Sequence, residues 1–168
     1  MPPEPGHRVT SHLPAVVFDV NVYVSALLGA DSNWPLLGAV PPSTDNAAAD
    51  CLSLAFDGER FTLFTSLHIL RNFRRVLREA GWIESTADEA VEAMIEIVKF
   101  SGGKVLDPPR TVFDIEDHED NLILDLAVAC DAWLVVSEDT DLTFISPWRQ
   151  RVAILRPHEF VRRLLHSR

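Results

Sequence analysis

The chain of 168 residues has only two cysteines, Cys51 and Cys130, which excludes a disulfide-rich scaffold. Each lies in an apolar stretch, as is typical of buried, reduced thiols. No apolar run approaches the roughly 18 residues needed to span a membrane. Because the first residues, MPPEPGHRVTSH, contain no apolar signal core, we expect a cytoplasmic protein with a loose tail over residues 1–13.

Basic residues are also few. The chain has 15 basic residues against 25 acidic ones, a formal net charge of -10. Taken over the whole chain, this charge argues against a nucleic-acid partner. Hydrophobic residues make up 47%, which excludes intrinsic disorder because a sizeable core can form. The length predicts one domain, over residues 14–168.

Short apolar runs alternate with longer segments of helical periodicity. Strands are predicted at residues 15–18, 61–65, 104–106, 133–136 and 152–155. Helices are predicted at residues 21–28, 44–56, 66–79, 85–100 and 120–130, and from Pro157 onward. Ser66 is the predicted N-cap of the third helix, and Ser85, three residues before Asp88, is that of the fourth. Three prolines predict a loop over residues 30–43. This alternation is typical of an α/β domain with a parallel sheet covered on both faces.

Acidic residues follow two of the predicted strands. Asp19 ends the first strand, and Asp139 and Asp141 follow the fourth. A further acidic cluster, residues 117–121, begins the helix that contains Asp120. Ligands of parallel sheets bind beyond the carboxyl ends of the strands, and adjacent carboxylates need a counter-cation. Each acid alone also fits a helix cap or a turn, but together they predict a Mg²⁺ or Mn²⁺ site for phosphodiester hydrolysis.

Four segments resemble motifs of the PIN-domain ribonucleases, in the order usual for that family. They are VVFDVNVYVSALL (16–28), TSLHILRNFRRVL (65–77), EDHEDNLILDLAVACDAWLVVSEDTDL (116–142) and ILRPHEF (154–160). The resemblance implies a three-layer α/β/α fold around a parallel sheet of about four to five strands. It also implies a Mg²⁺ or Mn²⁺ cofactor and hydrolysis of RNA phosphodiester bonds.

The resemblance also assigns roles to individual residues. It implies metal binding by Asp19, Asp120 and Asp139, with Asp141 as an additional catalytic acid. The polar residues expected to support the site, or to be weak ligands, are Asn21, Asn72, Asn121 and Ser137.

Asn72 departs from the family pattern, which has glutamate at this position. Asparagine keeps a carbonyl oxygen for a metal, but it has no negative charge and cannot act as a base. Either Glu138, Glu119 or Asp117 compensates, or the domain is degenerate and binds RNA or a protein with weak or no catalysis.

Arginine is far more frequent than lysine, with 13 residues against two. Arginine suits bidentate contacts to phosphate, so we predict RNA contacts by Arg71, Arg74, Arg75, Arg78, Arg149 and Arg151. The alternatives for the first four are a solvated helix face, ion pairs with the acidic segment 88–96, or contact with an acidic segment of a partner protein.

Two broader expectations follow. Small PIN domains are commonly toxins of bacterial toxin–antitoxin pairs, so the resemblance implies a small antitoxin partner and a homodimer. A phosphatase of the haloacid dehalogenase type with Asp19 as nucleophile is disfavoured. Such enzymes need a lysine in the second half of the chain, and Lys99 and Lys104 do not follow a strand.

The net charge is concentrated in one segment. Residues 107–141 contain 11 acidic residues and one basic residue, while the rest of the chain is balanced. The acidity is therefore consistent with a carboxylate site and does not exclude an RNA substrate.

Overall fold

The computed structural model describes residues 12–29 and 45–166. Nearly all of the predicted tail and the predicted loop 30–43 therefore lie outside the described residues.

Five short strands form one parallel sheet. They are β1 (Ala15–Phe18), β2 (Thr62–Ser66), β3 (Val105–Leu106), β4 (Leu134–Val136) and β5 (Ala153–Leu155). The strand order is β3-β2-β1-β4-β5, and every neighbouring pair is parallel. This confirms the predicted sheet and places the ends of β1 and β4 side by side.

Helices cover the sheet on both faces, which confirms the three-layer α/β/α fold. They are α1 (Val20–Leu28), α2 (Ala47–Asp57), α3 (Leu67–Glu79), α4 (Glu84–Phe100), α5 (His118–Ala129), α6 (Thr140–Phe144) and α7 (Pro157–His166). Helix α5 packs on β1 and β2, while α1 contacts both α2 and α3. Among the residues that the structure describes, no helix has both the length and the apolar character that a bilayer crossing requires.

The central strand β1 is buried on both faces, as its sequence predicts. Val16, Val17 and Phe18 are fully buried. The Phe18 ring meets those of Phe61 and Phe160 at centroid distances of 5.9 and 5.8 Å in tilted and edge-on arrangements, which favour aromatic packing. This apolar centre supports the polar residues that follow β1 directly.

The starts of α4 and α5 differ from the predictions, whereas the start of α3 agrees with them. Ser66 caps α3 as predicted, accepting a 3.1 Å hydrogen bond from the Ile69 amide. The predicted cap at Ser85 is wrong, because α4 begins at Glu84 and its N-cap, Ile83, makes no side-chain cap bond. Helix α5 begins two residues before the predicted start, because the Asp117 carboxylate accepts hydrogen bonds from the first turn.

Candidate active site

A cleft of about 410 Å³ opens at the carboxyl ends of the strands, between α1, α3 and the start of α5. Its wall includes six residues that the sequence predicts for the site or for RNA contact: Asp19, Asn21, Asn72, Arg75, Asp120 and Asp139. The parallel topology accounts for this convergence, because β1 and β4 are neighbours and end at the same edge.

Three carboxylates form a compact cluster in this region. One oxygen from each of Asp120, Asp139 and Asp141 lies within 4.8 Å of the other two. Asp139 is the N-cap of the short helix α6, and its Oδ1 accepts a 2.9 Å hydrogen bond from the Asp141 amide. Helix α6 was not predicted, and its first turn returns Asp141 towards Asp139.

The Asp120 carboxyl lies in an unfavourable environment for a negative charge. Its residue is 5% exposed, and its Oδ2 has no hydrogen-bond partner among the described residues. Burial, followed by the charges of Asp139 and Asp117, raises its pKa to about 7. A buried oxygen without a protein donor, beside two further carboxylates, fits a hard divalent cation.

Asp19 lines the same cleft, but it does not belong to this three-carboxylate cluster. Both of its oxygens are hydrogen-bonded: Oδ1 accepts from the Val20 amide at 2.7 Å and Oδ2 from the Ser137 hydroxyl at 2.7 Å. Burial raises the pKa of the Asp19 carboxyl, although these hydrogen bonds oppose the shift. Asp19 therefore anchors the cleft at the end of β1.

Ser137 and Asn21 connect the ends of β1 and β4. The Ser137 hydroxyl donates to Asp19 and accepts a 3.0 Å hydrogen bond from the Asp139 amide. The Asn21 carbonyl oxygen accepts from the Glu138 amide at 3.1 Å. These contacts fix the position of Asp139 relative to Asp19.

Three polar side chains meet on the α3 side of the cleft. One of them, His68, is not among the site residues predicted from the sequence. Asn72 Nδ2 donates to Glu119 Oε2 at 3.0 Å, and His68 Nε2 lies 2.6 Å from the same oxygen. His68 and Asn72 are four residues apart on α3, a spacing that places them on one helix face. That spacing was the available signal, but the partner Glu119 comes from another helix.

The three acids considered as replacements for a carboxylate at position 72 lie in different places. Asp117 and Glu119 line the cleft. Glu138 instead accepts a 2.7 Å hydrogen bond from Ser25 and lines a separate groove with Arg156. Glu119 is therefore the acid that contacts Asn72.

Asn121 does not line the cleft. It is buried, its Oδ1 accepts from the Ile115 amide at 3.1 Å, and its Nδ2 donates to the Ile115 carbonyl at 2.6 Å. Its side chain holds the segment that leads into α5.

The predicted RNA-contacting arginines are dispersed. Arg75 lines the cleft, whereas Arg74 pairs with Asp88 and Glu84 of α4. This pairing is the ion-pair alternative considered for the α3 arginines. Arg78 donates to the Trp82 carbonyl at 2.8 Å, and Arg71 is exposed.

Arg149 and Arg151 do not line the cleft. Both line a groove beside the last residues of α5, the end of the helix opposite Asp120. Arg149 pairs with Asp114 and lies over the Trp148 ring, and Arg151 pairs with Asp131.

The structure thus defines an α/β/α domain with a carboxylate cluster in a cleft at the carboxyl edge of its parallel sheet. A family model described as PIN domain matches residues 15–141, and the chain belongs to the PIN-domain family. This membership implies nuclease activity in general. No curated protein matches the chain.

Proposed function

We propose that this protein is a metal-dependent endoribonuclease of the VapC-like toxin type. The observation that carries the proposal is the cluster of Asp120, Asp139 and Asp141 oxygens within 4.8 Å, with Asp120 Oδ2 buried and unpartnered among the described residues. A nuclease needs such a site because a phosphodiester gains negative charge during hydrolysis.

Mg²⁺ or Mn²⁺ is the cofactor that fits these residues. Asp120, Asp139 and Asp141 supply the hard oxygen donors, and Asp19 adds negative charge beside them. When bound, the ion supplies an activated water and offsets charge on the phosphate.

We propose that two further residues position the carboxylates and the substrate. Ser137 fixes Asp139 through its hydrogen bonds to Asp19 and to the Asp139 amide. Arg75 lines the cleft, and we propose that its guanidinium contacts a phosphate there. Its bonds to Glu79 at 2.9 Å and Asn72 at 3.4 Å hold it there.

Purified protein is expected to cut single-stranded RNA with Mn²⁺ or Mg²⁺ and to stop when EDTA is added. The reason is that the clustered carboxylates repel a phosphodiester unless a cation offsets their charge. Gel analysis of end-labelled RNA measures the cleavage and separates internal from terminal cuts. Cleavage that persists in EDTA would contradict the proposed metal dependence.

The degenerate domain remains the second candidate, and Asn72 is the observation that favours it. In that case the protein binds RNA or a partner protein through the same cleft. RNA retained on a filter without cleavage at any Mn²⁺ or Mg²⁺ concentration would establish this candidate over the nuclease.

Glu119 is proposed to supply the carboxylate that Asn72 lacks. We expect Glu119→Gln to weaken Mn²⁺ binding about 10-fold, because it removes the charge that contacts Asn72 Nδ2 at 3.0 Å. Asn72→Glu in the Glu119→Gln background is expected to restore the affinity by returning one carboxylate to the same place. Isothermal titration calorimetry measures both changes.

Glu96→Gln is the matched control for this pair, since Glu96 is exposed on α4 and faces Lys99. Mn²⁺ affinity that is unchanged in Glu119→Gln would show that Glu119 does not take the missing role.

The proposed cellular role follows the resemblance to bacterial toxins. We propose a cytoplasmic protein that forms a homodimer and is held inactive by a small antitoxin protein. Family membership supports this role, and the cleft offers an antitoxin a site at which to block RNA.

A further inference from the structure

A second groove adjoins the acidic cleft. It has a volume of about 550 Å³ and is lined by Ile115, Glu116, Asp117, Asp141 and Phe144. Asp117 also lines the cleft, and Asp141 belongs to the carboxylate cluster. The groove therefore continues directly from the proposed catalytic centre.

Phe144 is the most conspicuous apolar residue of this groove. It is the last residue of α6 and is 88% exposed, although Leu142 on the same helix is fully buried. Phe144 follows Asp141 by three residues, a spacing that places both on one side of a helix. An aromatic ring is thus presented to solvent beside the carboxylates.

We infer that Phe144 stacks on a nucleobase of single-stranded RNA, next to the phosphodiester bond held at the carboxylate cluster. This inference rests on the proposed nuclease function. Because the groove continues from the cleft, a strand whose phosphate lies in the cleft can extend a neighbouring nucleotide along it. Stacking on an exposed aromatic side chain is the usual way in which proteins hold an unpaired base.

The negative charges of the groove favour contact with a base of the RNA over contact with its phosphate backbone. Glu116 and Asp117 repel phosphate, but their oxygens accept hydrogen bonds from exocyclic amino groups. Adenine, cytosine and guanine carry such groups, whereas uracil offers a carboxylate only its ring N3–H. The groove should therefore disfavour uracil beside the cut, and it should reject duplexes because their bases are already stacked and paired.

Binding of short, uridine-only RNAs that carry one central 2-aminopurine tests this inference. The protein background is Asp139→Asn with Mn²⁺, which limits cleavage. We expect quenching of 2-aminopurine fluorescence on binding, and about 5- to 150-fold weaker binding when Phe144→Ala is added. Phe144→Trp should restore both signals, because its ring also stacks.

Phe100→Ala is the matched control, since Phe100 is 66% exposed and lies at the opposite edge of the sheet, where α4 ends before β3. It should leave binding unchanged. Equal RNA affinity in the Phe144→Ala and Phe100→Ala variants would overturn the inference and leave Phe144 for a protein contact. Absence of quenching in the Phe144-containing protein would overturn it as well.

Cleavage kinetics without the Asp139 substitution separate this inference from the nuclease proposal. If both hold, Phe144→Ala raises KM for single-stranded RNA more than it lowers kcat. Cleavage with an unchanged KM would overturn the stacking role and leave the nuclease intact. Quenching that depends on Phe144, in a protein that cuts no RNA, would support stacking and contradict the nuclease.

Discussion

Asp139→Asn is expected to lower the rate of RNA cleavage about 1000-fold or more. Asp139 contributes an oxygen to the carboxylate cluster, and its Oδ1 also caps the helix that carries Asp141. Asparagine caps helices as well as aspartate does, so α6 should remain folded while one negative charge is lost. Single-turnover cleavage with saturating Mn²⁺ measures the effect on the chemical step.

Asp114→Asn is the matched control for this variant. Asp114 is an exposed acid that pairs with Arg149, and it does not line the cleft. Loss of an exposed ion pair lowers the free energy of unfolding by at most about 1 kcal/mol, so the protein should stay folded. The cleavage rate should therefore stay within about twofold of the wild-type rate. In cells, expression of wild type should arrest growth and Asp139→Asn should not. Full cleavage by Asp139→Asn would contradict the assignment of the cluster as the catalytic centre.

The sequence predicts the sheet and the convergence of acids because both depend on local patterns. An apolar run followed by Asp19 predicts a buried strand and a polar end, and parallel topology then brings Asp19 and Asp139 together. Helix α6 is not evident from the sequence, because a five-residue segment with one acid, preceded by Asp139, is typical of a turn as well. Its cap, Asp139, is what brings Asp141 into the cluster.

Contacts between distant helices could not be predicted in the same way. The pairing of His68 and Asn72 with Glu119 depends on how closely α3 approaches the start of α5. For the arginines, the sequence shows how many there are but not which acids they pair with. The pair that Arg149 forms with Asp114 is an example.

The concentration of acids in residues 107–141 has a second cause besides the site. The Asp125 carboxylate is buried and accepts hydrogen bonds from the Thr111 and Val112 amides at 2.8 and 2.7 Å. It therefore holds the connection from β3 to α5, with no part in the cleft. The net charge of a segment therefore cannot separate the carboxylates of the proposed site from those that stabilise the fold.

Asp120→Asn is expected to raise the melting temperature of the metal-free protein at about pH 8 by about 3–10 °C. The pKa of Asp120 lies at about 7 in the folded protein, above its ordinary value of 3.8. A raised pKa means that the folded state holds this proton more tightly, so stability is lost as the pH rises through about 7. Asparagine cannot ionise and avoids this loss, so the two proteins should differ little at about pH 4.

Metal binding should reverse the difference in melting temperature between wild type and Asp120→Asn. A cation at the cluster replaces the proton of Asp120, so Mn²⁺ is expected to raise the melting temperature of wild type more than that of Asp120→Asn. Scanning calorimetry with EDTA and with Mn²⁺ at both pH values measures the four cases. Asp114→Asn again serves as the control, and it should change stability in the opposite direction, because Arg149 lowers the pKa of Asp114. A wild-type protein that is as stable as Asp120→Asn at about pH 8 in EDTA would contradict the raised pKa, because the ionised carboxyl would then cost the fold nothing.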